Sequence, residues 1–217
     1  MPKLLKRALA ALAILAIALP VAGWLLVRDE VSRFRAMAAR DTRPVAPMLA
    51  HAIEAAEGPF PSARPGISFS SLRWPLPRRN VVWCAPTLPF QLVRWVAPQR
   101  RALWSNIETA LATVVVSRTF TPDELLRIYA HEVYLGRDGS RAIHGVEAAS
   151  RFYFGKDAHA LTAAEAATIA AMIRSPHAFS PVAFPERAAA RRNRVLERMH
   201  SLGFLSEDEL RAARRPT

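Results

Sequence analysis

The sequence predicts a mainly α-helical domain behind one N-terminal transmembrane helix. Three observations carry this prediction. Residues 8–27 are uncharged and mostly apolar, with Lys3, Lys6 and Arg7 before them and Arg28, Asp29 and Glu30 after. Beyond Gln99, apolar residues recur at helical spacing between helix-start signals. No stretch sustains the period-two alternation of a half-buried strand.

The N-terminal run sets the compartment. At about 1.5 Å per residue, a helix over 8–27 spans roughly 30 Å, the thickness of a bilayer core. Basic residues precede it and mixed charges follow, so the positive-inside rule keeps residues 1–7 in the cytoplasm and exports the rest. A cleaved signal peptide is the alternative, because Pro20, Val21, Ala22 and Gly23 supply small residues near a cleavage point. The run continues through Trp24, Leu25, Leu26 and Val27, beyond the usual signal-peptide length, which favours an uncleaved anchor. The expected organisation is therefore a cytoplasmic stub and anchor over 1–28 and one domain over 29–217.

Composition narrows the partner. With 51% hydrophobic and 22% charged residues among 217, the chain can bury a core and is not a disordered tail. Its single cysteine, Cys84, forms no intrachain disulfide. Thirty Lys and Arg against 18 Asp and Glu give a net charge of +12. Residues 1–110 carry 15 of these cations and 6 anions, so the excess sits beside the N-terminal segment. An exported, anchored, basic domain excludes nucleic acid and points to anionic lipid or lipid-linked phosphate.

The elements follow in order. Residues 29–58 have helical spacing in two pieces, broken around 41–47; the second carries Met48, Leu49, Ala52, Ile53 and Ala56 on one stripe and ends at Glu57. Ten of the 17 prolines lie between Pro44 and Pro98, which excludes a long helix across 59–89 and leaves loops or short strands. Leu103, Ile107, Ala110, Leu111, Val114 and Val115 predict a helix over 99–118. Thr121, Pro122, Asp123 and Glu124 read as a capping box with proline at the first helical position, opening a helix that ends near Gly136. Thr162 and Glu165 open another, ending before Ser175 and Pro176; a further helix runs over 185–203, and Ser206 with Glu209 opens a last short one.

Several stretches then resemble a known family. Glu124, Leu125, Ile128, Tyr129, Tyr134 and Gly136 are followed by Gly145, Glu147, Phe152, Gly155 and Lys156. Then come Thr162, Glu165, Ser175, Pro176, Ser180, Pro181, Pro185 and the run 192–199. In this order and spacing, over roughly 100 residues, they resemble the C-terminal half of glycosyltransferase family 51, the peptidoglycan glycosyltransferases. The resemblance implies a lysozyme-like, mainly α fold with a membrane-embedded jaw, here residues 59–98.

Upstream, the family's catalytic motifs are only partly present. Glu57 and Gly66 keep the separation of the first motif and place Glu57 on the general-base position, with Gly58, Pro61 and Arg64 where the family has Asp, Phe and His. In the second motif Thr87, Leu88 and Gln91 match and Arg94 keeps a lysine's charge, while its glycines are absent. The third motif's two cations fall on Ser105 and Asn106 and its carboxylate on Thr109, with Glu108 one residue early. One residue on a helix rotates a side chain by about 100°. Arg100 and Arg101 lie just upstream.

The resemblance implies an enzyme that polymerises lipid-linked disaccharide units in cell-wall synthesis. Glu57 would be the catalytic base, and Thr87, Gln91, Arg94 and Arg101 would bind substrate. Glu108 would be a second carboxylate, although a solvent-facing helix charge is the simpler reading of it. No residue set is assigned as metal ligands; a divalent cation such as magnesium would join the arginines on the donor's diphosphate. The implied partners are the lipid-linked peptidoglycan precursor, the membrane and other cell-wall synthesis proteins. The implied location is the bacterial inner membrane, single-pass, with the catalytic domain on the periplasmic side. The rival reading is a catalytically inactive relative that keeps the fold and serves as a membrane-anchored binding or scaffolding subunit. Arginines 187, 191, 192, 194 and 198 read as an exposed helix face that can meet anionic headgroups.

Overall fold

The computed structural model describes residues 2–40, 42–58, 88–96 and 103–215, with the side chains of most of 2–20 and of 103–107 outside the description. The chain forms two compact units, one of Met1–Met37 with Arg64–Thr121 and one of Ala38–Ala63 with Pro122–Thr217. Both are mainly helical, as the sequence predicts.

The first unit holds most of α1 (Pro2–Arg40), α3 (Leu88–Val96) and α4 (Leu103–Thr119). Val27, Val31 and Phe34 recur at helical spacing on α1 and are buried. Phe34 packs at 5.9 Å on Phe120, just past α4. Leu92 and Val93 of α3 and Ala112 and Val116 of α4 are buried with them. Arg33 Nη1 donates to the Val96 carbonyl at 3.0 Å, satisfying an acceptor at the end of α3. Among the described residues no helix is long and apolar enough to cross a membrane. The predicted anchor over 8–27 falls mainly on side chains outside the description, although Val21, Trp24 and Leu25 are described and exposed.

The proline-rich stretch 59–87 lies outside the described residues, as do 97–102. At its end the reading as loop gives way to α3. Pro89 is only the second residue of that helix, where its missing N–H leaves no intrahelical bond unmade.

The second unit is built around α7 (Ala163–Met172). Seven consecutive residues, Ala166 to Met172, are buried, so this helix is surrounded on every side. Its alanines let α2 (Pro47–Glu57) and α8 (Pro185–Ser201) approach closely, and all three pack on one another. Leu49, Ala52, Ile53 and Ala55 supply the α2 face, whereas Met48 and Ala56 of the predicted stripe are half-buried. Ala188, Val195, Leu196 and Met199 supply the α8 face. Burial of each large aliphatic side chain here contributes about 1.5–3 kcal/mol.

Of the predicted capping boxes, those of α7 and α9 (Glu207–Ala213) are present. Thr162 Oγ1 accepts from the Glu165 N–H while Glu165 accepts from the Thr162 N–H, and Ser206 and Glu209 repeat the arrangement.

The structure corrects one boundary and adds a hairpin and the helix that follows it. Helix α5 (Pro122–Glu132) ends before the predicted Gly136, because a hairpin follows: β1 (Tyr134–Asp138) pairs antiparallel with β2 (Arg141–His144). The register shifts between Tyr134 and Gly136, leaving Leu135 as the extra residue of a bulge. Leu135 is fully buried, Gly136 takes φ +135°, and the Leu135 carbonyl accepts from the Tyr153 hydroxyl at 3.0 Å. Gly145, at φ +82°, joins the hairpin to α6 (Val146–Phe154), and a Cβ there would meet the His131 carbonyl oxygen at 2.7 Å.

Candidate active site

Glu57 is the last residue of α2, and the helix stops there because Gly58 takes φ 106°. Ala52, Ile53 and Ala55 bury one face of the last two turns, which fixes where the Glu57 side chain emerges. It opens into a cleft of about 590 Å³ between the end of α2, the second residue after α7 and one side of α8. The α8 wall is Arg191, Arg194, Val195, Glu197, Arg198 and Ser201, a set spaced three, four and seven apart as one helix side requires. Arg174 completes the cationic lining.

Four guanidinium groups thus face two carboxylates, Glu57 and Glu197, in this cleft. Arg214 of the C-terminal segment pairs with Glu197, so much of that carboxylate's charge is already countered. Arg191 is the most constrained cation. It is half-buried, its Nε is buried with no hydrogen-bond partner among the described residues, and its guanidinium carbon lies 5.9 Å from the centre of the Phe179 ring. Burial lowers its pKa most, the charges of Arg194 and Arg174 lower it further, and the Glu57 carboxylate opposes them. Glu57 also acts on Tyr129: burial pushes this phenol up strongly, and the Glu57 charge adds to it. A carboxylate, a half-buried guanidinium and a buried tyrosine are therefore coupled within one unit.

Of the other predicted site residues, Gln91 and Arg94 lie on α3, in the first unit; Arg94 is exposed, with its guanidinium 5.9 Å from the Phe90 ring centre. Glu108 lies on α4, half-buried rather than fully solvent-facing. Thr87, Arg100, Arg101 and Gly66 fall outside the described residues, as do the side chains of Ser105 and Asn106. The sequence reading missed Arg174 and took Arg191 for an exposed helix charge. Its position on the same helix side as Arg194 and Arg198 was the available signal, but the cover provided by Phe179 is not visible in a helical spacing.

The cleft's donors fit a divalent cation poorly. Such an ion needs several oxygen ligands, whereas here one of two carboxylates is held by Arg214 and four guanidinium groups repel it. Among the described residues no group of three His, Cys, Asp or Glu side chains is placed to hold a metal.

Residues 64–200 match the transglycosylase family, more than half of the chain. The chain belongs to that family, glycosyltransferase family 51. The match begins after Glu57, so that residue's assignment rests on its register with Gly66 and on the cleft it occupies. Among curated proteins, the chain is 39% identical over 107 residues to penicillin-binding protein 1A of Pseudomonas aeruginosa, covering 49% of this chain and 12% of that protein. It is 38% identical over 103 residues to penicillin-binding protein 1A of Escherichia coli, covering 48% and 12%. It is 34% identical over 107 residues to penicillin-binding protein 1B of Vibrio cholerae, covering 49% and 14%. A crystal structure of penicillin-binding protein 1A from Haemophilus influenzae is 35% identical, with a TM-score of 0.41, covering 44% of this chain and 14% of that one. The transglycosylase-family chain thus spans only about an eighth of the length of these relatives.

Proposed function

We propose that this chain is a peptidoglycan glycosyltransferase, joining lipid-linked disaccharide units with Glu57 as the general base. The observation that carries the reading is Glu57 at the mouth of a cleft walled by Arg174, Arg191, Arg194 and Arg198. A carboxylate there can take the proton from an acceptor sugar hydroxyl as that oxygen attacks the donor sugar's anomeric carbon. The bond to the donor's diphosphate breaks, and guanidinium groups are suited to the charge that leaves, because their planar fork matches phosphate oxygens. Arg191 gains most from an arriving anion, since its repulsion from Arg174 and Arg194 is then offset. Gln91, Arg94, Thr87 and Arg101 belong to the substrate-binding set by family resemblance, and Glu108 is the candidate second carboxylate. Magnesium has no assigned ligands in this scheme, and no step is routed through it.

The same reading places 1–28 as cytoplasmic stub and anchor in the bacterial inner membrane and 29–217 on its periplasmic side, next to other cell-wall synthesis proteins. What supports this is the basic flank before the 8–27 run and the lipid-anchored substrate of the family. The test is polymer formation from lipid-linked disaccharide by the wild-type chain and its loss in Glu57→Gln, beside a control family enzyme.

One observation favours a second reading, a scaffolding subunit without turnover. Ser105 and Asn106 stand where the family has cations, and Gly58 stands where it has an acid after the base. Absence of polymer from the wild type under conditions where the control works decides for it.

A further inference from the structure

We propose that the segment joining α7 to α8, residues 175–184, is a lipid-contact rim that seats the Glu57 cleft on the surface of an anionic bilayer. The segment is held in a fixed shape. The Phe179 N–H donates to the Ser175 carbonyl at 3.1 Å and the Phe184 N–H to the Ser180 carbonyl at 2.9 Å. Ser180 Oγ accepts from the Ala183 N–H at 3.3 Å, closing the turn on itself. At the apex of this braced turn stands Val182, 76% exposed, the most exposed large apolar side chain among the described residues. Ala183 beside it is exposed too. The hydrogen-bonded turn keeps Val182 and Ala183 together as an apolar tip in water, surface that gains by leaving water.

The surroundings say what covers it. Two aromatic rings root the turn, and each lies beside an arginine: Arg187 is 5.1 Å from the centre of Phe184 and Arg191 is 5.9 Å from that of Phe179. Helix α8 directly after the turn carries five arginines against two glutamates, Glu186 and Glu197, the latter paired with Arg214. An apolar apex with the exposed Arg187 at its base and an arginine-rich helix behind it suits an interface: the apex reaches the acyl boundary while the exposed guanidinium stays at headgroup level. Arg174 and Arg191 also line the Glu57 cleft, so lipid contact at this turn brings the cleft mouth to the bilayer surface, where a lipid-anchored substrate sits. That purpose rests on the proposed function; the surface chemistry stands without it.

The test uses the full chain with Val182→Cys in a Cys84→Ser background, labelled with an environment-sensitive fluorophore. It is mixed with phosphatidylcholine vesicles with or without phosphatidylglycerol, which carry a lipid-attached quencher. The expected result is a blue-shifted, quenched label on the anionic vesicles, with an aqueous signal from a control label at Ala148→Cys on the exposed side of α6. Arg187→Gln should lower the ratio of docked to undocked label about fivefold at low salt. A label that stays aqueous on anionic vesicles, or responds equally without phosphatidylglycerol, overturns the proposal, as does capture of this face by an acidic protein in preference to vesicles. If circular dichroism shows that the Val182 variant is misfolded, Ala183→Cys carries the label instead. Because the readout needs no turnover, an aqueous label with intact Glu57-dependent polymerisation rejects the rim alone. A buried label without polymer rejects the enzyme reading alone.

Discussion

Glu57 of α2 and Arg191 of α8 share one cleft, and the carboxylate's charge supports a guanidinium that burial, Arg174 and Arg194 all disfavour. This coupling makes the site's electrostatics measurable apart from catalysis. Removal of Glu57 leaves Arg191 half-buried among like charges, whereas removal of Arg191 relieves them.

A double-mutant cycle tests it. Glu57→Gln should destabilise the fold, Arg191→Met should do so through lost packing on Phe179, and the double variant should lose less than the sum. The expected coupling is about 0.5–1 kcal/mol, small because both groups are partly exposed and screened. Urea unfolding at low and high salt checks it; a coupling of zero at low salt separates the two residues.

Acid should unfold the second unit partly through Glu165. Burial raises this carboxyl, but hydrogen bonds from Lys156 Nζ at 2.7 Å and from Thr162, with the Lys156 charge, outweigh it and hold the group below its ordinary range. A group depressed in the folded state stabilises above its unfolded pKa of about 4.3 and loses that contribution as pH falls through the folded value. Melting temperature should therefore fall more steeply below about pH 4.5 in the wild type than in Glu165→Gln. The same variant should be less stable near neutrality, since it loses the Lys156 pair.

The junction after the hairpin is a sensitive backbone position. Gly145→Ala puts a Cβ 2.7 Å from the His131 carbonyl oxygen at a φ of +82°. Strain of this kind costs about 1–3 kcal/mol before the clash is added. A control at Gly203, also at positive φ (+79°) but with open space around it, should cost less. Equal losses in melting temperature at the two sites would show that the His131 contact is not limiting.

The sequence was most legible where structure is local. The boxes Thr162 with Glu165 and Ser206 with Glu209 need only a spacing of three, and both formed as read. So did the break between α1 and α2. The hairpin was hidden because its bulge at Leu135 spoils strand alternation, while Val133 and Leu135 prolong the apolar rhythm of α5. The cleft was half legible. Glu57 was found from its separation to Gly66, but the half-burial of Arg191 depends on Phe179, a tertiary contact that no helical spacing encodes. Arg174 reaches the cleft only because α7 ends beside α2 and α8.

The last prediction separates enzyme from scaffold, using the fact that base catalysis and leaving-group stabilisation are different contributions. General-base removal costs about 10²–10⁴-fold, so Glu57→Gln should abolish slow polymer formation while leaving the chain folded. By the family resemblance the third-motif cations fall on Ser105 and Asn106 in this chain, so in the proposed reaction diphosphate departure would be assisted by fewer positive charges than in the family pattern. Ser105→Arg with Asn106→Lys should then raise the polymerisation rate, because charge aimed at a departing anion acts in the transition state rather than on the bound substrate. The gain should appear in kcat more than in KM, and it should vanish when Glu57→Gln is added. Polymer that forms equally well without the Glu57 carboxylate would falsify the assigned base. A folded wild type and a folded double variant that both make no polymer, beside an active control, would leave the cleft as a binding surface for anionic cell-wall material.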